Sequence, residues 1–178
     1  MKKLPMNLPN KITLIRIALI PFFLVLMGIE GNVFRWLGVI LFSVAALTDM
    51  LDGELARRRN EVTDFGKFMD PIADKLLVLL PMILLTHAGP MHQVWAVMLM
   101  VAREIIVSGF RLVAVNKGSV IAAAKSGKIK TTVQVVAVIL LTLGSAAAPY
   151  CLWVAALLSV YSGGELLLKN IHILEEKQ

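Results

Sequence analysis

The sequence is short of charge and of cysteine, and each shortage excludes something. Only 17% of the 178 residues are charged and 58% are hydrophobic, with a mean hydropathy of +0.79. An average soluble domain is about 25% charged and about 45–50% apolar. A core built from a chain of this length could not hide so much apolar surface, so an ordinary water-soluble globule is excluded and the solvent is lipid. The single cysteine, Cys151, excludes an internal disulfide, and within an apolar run it reads as a small packed hydrophobe rather than a nucleophile. No repeat with a period of 20–50 residues, no low-complexity block and no linker divides the chain, so residues 1–178 read as one domain. What is present in excess is positive charge: 18 Lys and Arg against 12 Asp and Glu give a net charge of +6. That balance would suit nucleic acid, but the positions of the charges say otherwise.

In windows of about 19 residues, six apolar stretches appear, at 12–29, 34–56, 68–87, 93–115, 131–148 and 150–168. The fold class is therefore all-α, a polytopic membrane protein with six transmembrane helices. A short surface segment over residues 1–10, containing Pro5 and Pro9, precedes the first of them. Six spans put both termini on one side. Arg57, Arg58, Arg59 and Lys67 lie between the second and third spans, and Lys117, Lys125, Lys128 and Lys130 between the fourth and fifth. The opposite breaks hold only Arg35, near Glu30, and nothing basic around His87 to His92 or around Pro149. The positive-inside rule then makes the basic loops and both termini cytoplasmic. Nucleic acid drops out as a partner. Arg16 inside the first apolar run, with no small-residue cleavage pattern after it, favours a retained helix over a signal peptide. Trp36, Trp95 and Trp153 sit near the outer starts of the even-numbered spans and read as an aromatic belt, a ligand-stacking platform being the competing reading. His87 and His92 read as solvated residues of the outer loop.

Ionisable residues inside a span cost at least about 2.5–3.5 kcal/mol each on insertion scales, and here they cluster. Asp49 and Asp52 are three apart at the end of the second span, and Asp70 and Asp74 four apart at the start of the third, so each pair projects from one helix face. A connection of about ten residues makes the two helices antiparallel neighbours. Four carboxylates then converge at the cytoplasmic boundary, where they repel unless protonated or neutralised by cations. Oxygen-only ligands favour a hard divalent ion, magnesium first and manganese second, and the set can serve two ions in the manner of a phosphoryl-transfer clamp. Gly53, Ala56 and Gly66 remove side-chain bulk where a substrate must approach. The competing reading makes the acids helix-end residues paired with Arg57 to Arg59, and the glycines packing positions.

Asp49 through Asp74 reads DxxDGxxARx8Gx3Dx3D, eight fixed positions over 26 residues. This resembles the signature of the CDP-alcohol phosphatidyltransferases. The resemblance implies six transmembrane helices, a homodimer, and the exchange of the CMP of a CDP-linked lipid or alcohol for another hydroxyl compound. It implies that Asp49, Asp52, Asp70 and Asp74 hold two metal ions, that Asp74 is also the general base, and that Gly53, Ala56, Arg57 and Gly66 contact the cytidine diphosphate. Further segments, Asn7 to Arg16, Ala102 to Ile106, Arg111 and Gly127 to Thr132, resemble the bacterial branch of that family that makes phosphatidylglycerophosphate from CDP-diacylglycerol and glycerol 3-phosphate. On that resemblance Asn10, Thr13 and Arg16 are nucleotide-side contacts. Thr13 reads equally well as a helix cap or an internally bonded hydroxyl. The enzyme would lie in the bacterial inner membrane with its site on the cytoplasmic side.

A phosphorylated acceptor suits the remaining cations. Arg103 and Arg111 are eight apart on the fourth helix, and an arginine fork can grip phosphate bidentately. Lys128 and Lys130, with Lys125, can complete the pocket. The alternatives are a buried Arg103–Glu104 ion pair and, for Lys117 and Lys125, an ordinary basic loop or anionic-lipid contact. The Gly163–Gly164 pair reads as close helix packing. Rival functions are the same chemistry with serine, inositol phosphate or phosphatidylglycerol as acceptor, a membrane prenyltransferase, and a non-catalytic ion-coupled transporter. A prenyltransferase needs two separated Asp-rich motifs where this chain has one composite motif. A transporter tends to bind at the midplane between inverted repeats, which are not visible here.

Overall fold

The computed structural model describes residues 8–59, 64–87, 89–119, 121 and 125–174, with side chains for all of these except 8–9, 49–59, 64–65, 67–68 and 174. Among the described residues the chain is all-α. Its helices are α1 (Leu8–Met27), α2 (Asn32–Arg59), α3 (Asp64–Thr86), α4 (Met91–Asn116), α5 (Lys125–Thr142) and α6 (Ala148–Asn170), followed by a 3-10 turn (Ile171–Leu174). The six apolar stretches match the six helices in order, with several boundaries different from the sequence expectation. α5 runs over Lys125–Thr142 rather than 131–148, so Lys125, Lys128 and Lys130 lie on the helix and not in the break before it. α1 starts at Leu8, because a proline in the first turn lacks only an N–H that would have no helical partner there, so Pro9 and Asn10 join the helix. α2 and α3 reach to Arg59 and from Asp64, so they approach more closely in sequence than about ten residues. His92 belongs to the first turn of α4, not to a loop.

Beside an apolar core, the fold buries polar groups and exposes apolar ones more than a soluble bundle would. Asn10, Thr13, Arg16, Glu104, Lys130, Gln134, Ser159 and Ser162 are buried, while each helix turns large apolar side chains outward, among them Phe22 (65% exposed), Val33 (69%), Leu112 (64%) and Leu168 (74%). Apolar surface on that scale is stable only against an apolar solvent. Four helical hydroxyls are satisfied within their own helices, as an apolar solvent favours: Thr48, Ser108, Thr131 and Thr132 each donate to the carbonyl four residues back, at 2.7, 2.6, 3.1 and 3.2 Å. By length and composition Asn10–Met27 and Ala148–Ile173 can each cross a bilayer, and Asn32–Thr48 is a shorter apolar stretch. α3 and α4 instead interrupt their apolar stretches with Asp70, Asp74 and Lys75, and with Arg103 and Glu104.

The chain divides into two compact units. The first comprises Met1–Leu85 with Leu141–Ser145, and the second Thr86–Leu140 with Ala146–Gln178. In the first, α1 and α2 form a tight helical hairpin. Gly31, at φ 135°, supplies a backbone conformation that L side chains rarely adopt. Phe23 packs on Phe42 with ring centroids 5.7 Å apart, and Gly38 gives way to Met27, whose Cε would stand 2.2 Å from any Cβ placed there. Ile20, Ala45, Leu77 and Pro81 close the same cluster, bringing in α3.

In the second unit α4 buries one face at helical spacing, Ala96, Val97, Met100, Glu104, Val107, Phe110 and Ala114. α6 meets it with small residues, Ala155, Ala156, Ser159, Ser162 and Gly163, which let the helix backbones approach closely. α4 stops in a Schellman motif: the N–H of Gly118 donates to Val115 O at 2.9 Å and that of Ser119 to Ala114 O at 2.8 Å. Gly118 sits at φ 75°, where a side chain would be strained.

Candidate active site

In the first unit the site grows from α1 and α3. Asn10, Thr13 and Arg16 recur every third residue, and all three are buried, at 2–3% exposure. Thr13 Oγ1 donates to Asp70 Oδ1 at 2.6 Å, and Arg16 NH1 donates to Asp74 Oδ1 at 3.1 Å. Position thus increases along both helices together, three residues on α1 against four on α3, which makes these helices parallel as the first and third members of an up-down-up bundle. Thr13 is neither a cap nor an internally bonded hydroxyl; it reaches across to α3. Asp74 keeps 47% of its side chain exposed although Arg16 is almost wholly buried, and Asp70 is exposed as well. Each carboxylate accepts from an α1 donor through Oδ1 and remains exposed at the surface of the unit. A buried guanidinium in an apolar bundle requires such a partner.

Gly66 is buried one turn before Asp70. Asp49, Asp52, Gly53, Ala56 and Arg57 all lie on α2, which stays helical through Arg59, and by helical register Asp49, Asp52, Gly53 and Ala56 fall on one face. Their side chains, and that of Arg57, lie outside the described residues. No cluster of three or more His, Cys, Asp or Glu is assembled among the described residues, which hold two of the four expected acids. Those two, accessible carboxylates a helical turn apart with fixed inner oxygens, suit a hard divalent cation by their oxygen chemistry.

In the second unit Arg103, Glu104 and Lys130 meet. Arg103 donates from Nε to Ser159 O at 2.9 Å, from NH2 to Ser162 Oγ at 2.9 Å and from NH1 to Glu104 Oε1 at 3.0 Å. Lys130 Nζ bonds the same Glu104 oxygen. All three side chains are 9–12% exposed. Arg111, Lys125 and Lys128 are exposed and stand apart from this cluster, and Lys117 forms the exposed C-cap of α4. Two of the four expected acceptor-side cations are thus drawn together and two are not. Sequence reading pairs Glu104 with Arg103 alone; Lys130, 26 residues from Glu104, escapes it, as do Ser159 and Ser162. The available signal was a carboxylate in an apolar run flanked by more cations than acids. Cys151 is a packed thiol whose Sγ lies 3.8 Å from Val133 O. Trp36, Trp95 and Trp153 each lie in the second turn of an even-numbered helix.

Residues 6–161 match the family described as CDP-alcohol phosphatidyltransferase. The chain belongs to this family. Among its relatives is the CDP-diacylglycerol–glycerol-3-phosphate 3-phosphatidyltransferase of Bacillus subtilis (strain 168), 44% identical over 184 aligned positions that cover 92% of this chain and 95% of that protein. Proteins of the same name from Rickettsia typhi (strain ATCC VR-144 / Wilmington) and Escherichia coli (strain K12) are 40% and 43% identical. They cover 88% and 74% of this chain, and 93% and 74% of their own lengths. In this CDP-alcohol phosphatidyltransferase the signature acids on α3 are the ones that α1 holds. The match ends at residue 161, short of Ser162 and Gly163.

Proposed function

We propose that this chain transfers the phosphatidyl group of CDP-diacylglycerol to glycerol 3-phosphate, giving phosphatidylglycerophosphate and CMP. The observation that carries the chemistry is the pair of accessible carboxylates, Asp70 and Asp74, each held through Oδ1 by a buried donor of α1. The choice of acceptor rests on the activity for which the relatives are named. The enzyme is read as one functional domain that crosses a bacterial inner membrane six times. Residues before α1 lie on the cytoplasmic surface, the termini and the site face the cytoplasm, and the protein works as a homodimer.

Asp49, Asp52, Asp70 and Asp74 would hold two magnesium ions, with manganese as the alternative. Such ions, when bound, neutralise the diphosphate and the charge that develops on the departing phosphate of CMP. Asp74, oriented by Arg16 through Oδ1, would accept the proton of the acceptor hydroxyl. The freed oxygen bonds to the β-phosphorus of CDP-diacylglycerol, and the bond from that phosphorus to the bridging oxygen breaks, sending both its electrons out with CMP. Asn10, Gly53, Ala56, Arg57 and Gly66 serve the cytidine diphosphate side. Thr13 and Arg16 serve it through the two carboxylates they fix. Arg103, Arg111, Lys128 and Lys130 serve the acceptor phosphate.

Purified protein in detergent, given CDP-diacylglycerol and one acceptor at a time with and without magnesium, is expected to release CMP with glycerol 3-phosphate and magnesium. Serine, inositol phosphate and phosphatidylglycerol are expected to release none. No release with glycerol 3-phosphate overturns the reading.

A further inference from the structure

We infer that Glu104 is a positioning residue for the acceptor. Its carboxylate sets the spacing between Arg103 on α4 and Lys130 on α5, while Ser162 and Gly163 of α6 fix the far edge of the arginine. The inference rests on the reading that Arg103 and Lys130 serve the acceptor phosphate.

Donor arithmetic separates the two edges of Arg103. A guanidinium carries five N–H groups. Nε and one N–H of NH2 are taken by Ser159 O and Ser162 Oγ, and one N–H of NH1 by Glu104. One N–H remains on each terminal nitrogen, and both are charge-assisted donors of the kind that phosphate oxygens accept. The guanidinium lies against Gly163, where an added Cβ would stand 2.8 Å from Nε and 2.9 Å from Cγ. The stem thereby lies close against α6 at a position that only glycine leaves open. Ser162 Oγ is itself oriented, donating to Ser159 O at 3.1 Å.

Lys130 reaches the same carboxylate from α5. A lysine is a point charge on a flexible stem, and Glu104 Oε1 bonds it and Arg103 through one oxygen atom. Two cations that would otherwise repel at 9–12% exposure are thus held at a fixed separation. One cation suffices to neutralise one buried carboxylate. This one is shared between helices whose partners lie 26 residues apart in sequence. Sharing the carboxylate weakens each cation as a point charge; the inference commits to position outweighing that loss.

The test uses the full chain, purified in detergent, with glycerol 3-phosphate varied at saturating CDP-diacylglycerol and the reverse. Glu104→Gln is expected to raise KM for glycerol 3-phosphate about tenfold or more and to leave KM for CDP-diacylglycerol within about twofold. Glu104→Asp recovers part of the loss, and Ser162→Ala raises the same KM about two- to threefold. An unchanged or lowered KM for glycerol 3-phosphate in Glu104→Gln, or a fall in kcat alone, overturns the inference. Should Glu104→Gln fail to fold, Glu104→Asp and Ser162→Ala decide, and no shift of that KM in either overturns it. Arg103→Gln and Lys130→Gln test the reading beneath: if they raise KM for glycerol 3-phosphate and the Glu104 variants do not, only the positioning role falls. If Arg103→Gln and Lys130→Gln leave it unchanged, the acceptor assignment falls and takes the positioning role with it.

Discussion

Asp70 and Asp74 are exposed carboxylates gripped by buried donors of α1, whereas Glu104 is a buried carboxylate that itself grips two cations. The same chemical group is used in opposite senses in the two units. In the first, buried donors hold acids that stay exposed; in the second, a buried acid joins two cations. The difference shows in exposure, 47% for the side chain of Asp74 against 9% for that of Glu104. Exposure distinguishes an acid that has to meet something from outside from one whose partners are already within the fold.

Changes in the first unit are expected to abolish turnover, and changes in the second to shift acceptor affinity. The largest effect is expected from Asp74→Asn, which removes the proposed base: turnover should fall below about a thousandth while the helical circular dichroism and elution of the protein stay as in the parent. Appreciable CMP release by the purified variant breaks the base assignment. Chelation by EDTA should abolish activity as completely, with magnesium restoring it. Arg16→Gln comes next. It leaves Asp74 without the donor that orients it, and a misplacement near 1 Å costs about a hundredfold. Thr13→Ala is expected to cost about tenfold through Asp70, with Thr13→Ser retaining activity because the hydroxyl is kept. Equal losses in Thr13→Ser and Thr13→Ala would show that the methyl group, not the 2.6 Å bond, matters.

Much of this was legible in the residues. Six apolar stretches marked six helices because apolar length is a local property of the chain. The acids on α3 were legible because a charge in an apolar run is costly and four residues return it to the same helix face. The start of α1 at Leu8 was missed by a reading in which Pro9 counted as a breaker, although a first-turn proline costs the helix nothing. What the sequence could not reveal was partnership across helices. Thr13 meets Asp70 across 57 residues and Arg103 meets Ser162 across 59, and no periodicity encodes such a pairing. Gly163 carried half the message, since a packing glycine says that something comes close but not that it is an arginine.

The smaller predictions grade the second unit. Gly163→Ala places a Cβ within 2.9 Å of Arg103 Cγ. The stem of Arg103 is flexible enough to yield, so the expected result is a folded enzyme with KM for glycerol 3-phosphate raised about threefold to fivefold. No change in that KM would mean that the bed on α6 does not set the fork. Smallest of all should be the nearby cluster in which Glu165 accepts from Ser126 at 2.5 Å and from Lys169 at 2.6 Å. Lys169 is 69% exposed and its pairing with Glu165 is an ordinary i,i+4 contact, of the kind that contributes little. Lys169→Ala is therefore expected to leave both KM values within about twofold. A large rise for glycerol 3-phosphate would extend the positioning network down α6 to the start of α5, and would make exposure a poor guide to which ion pairs in this fold matter.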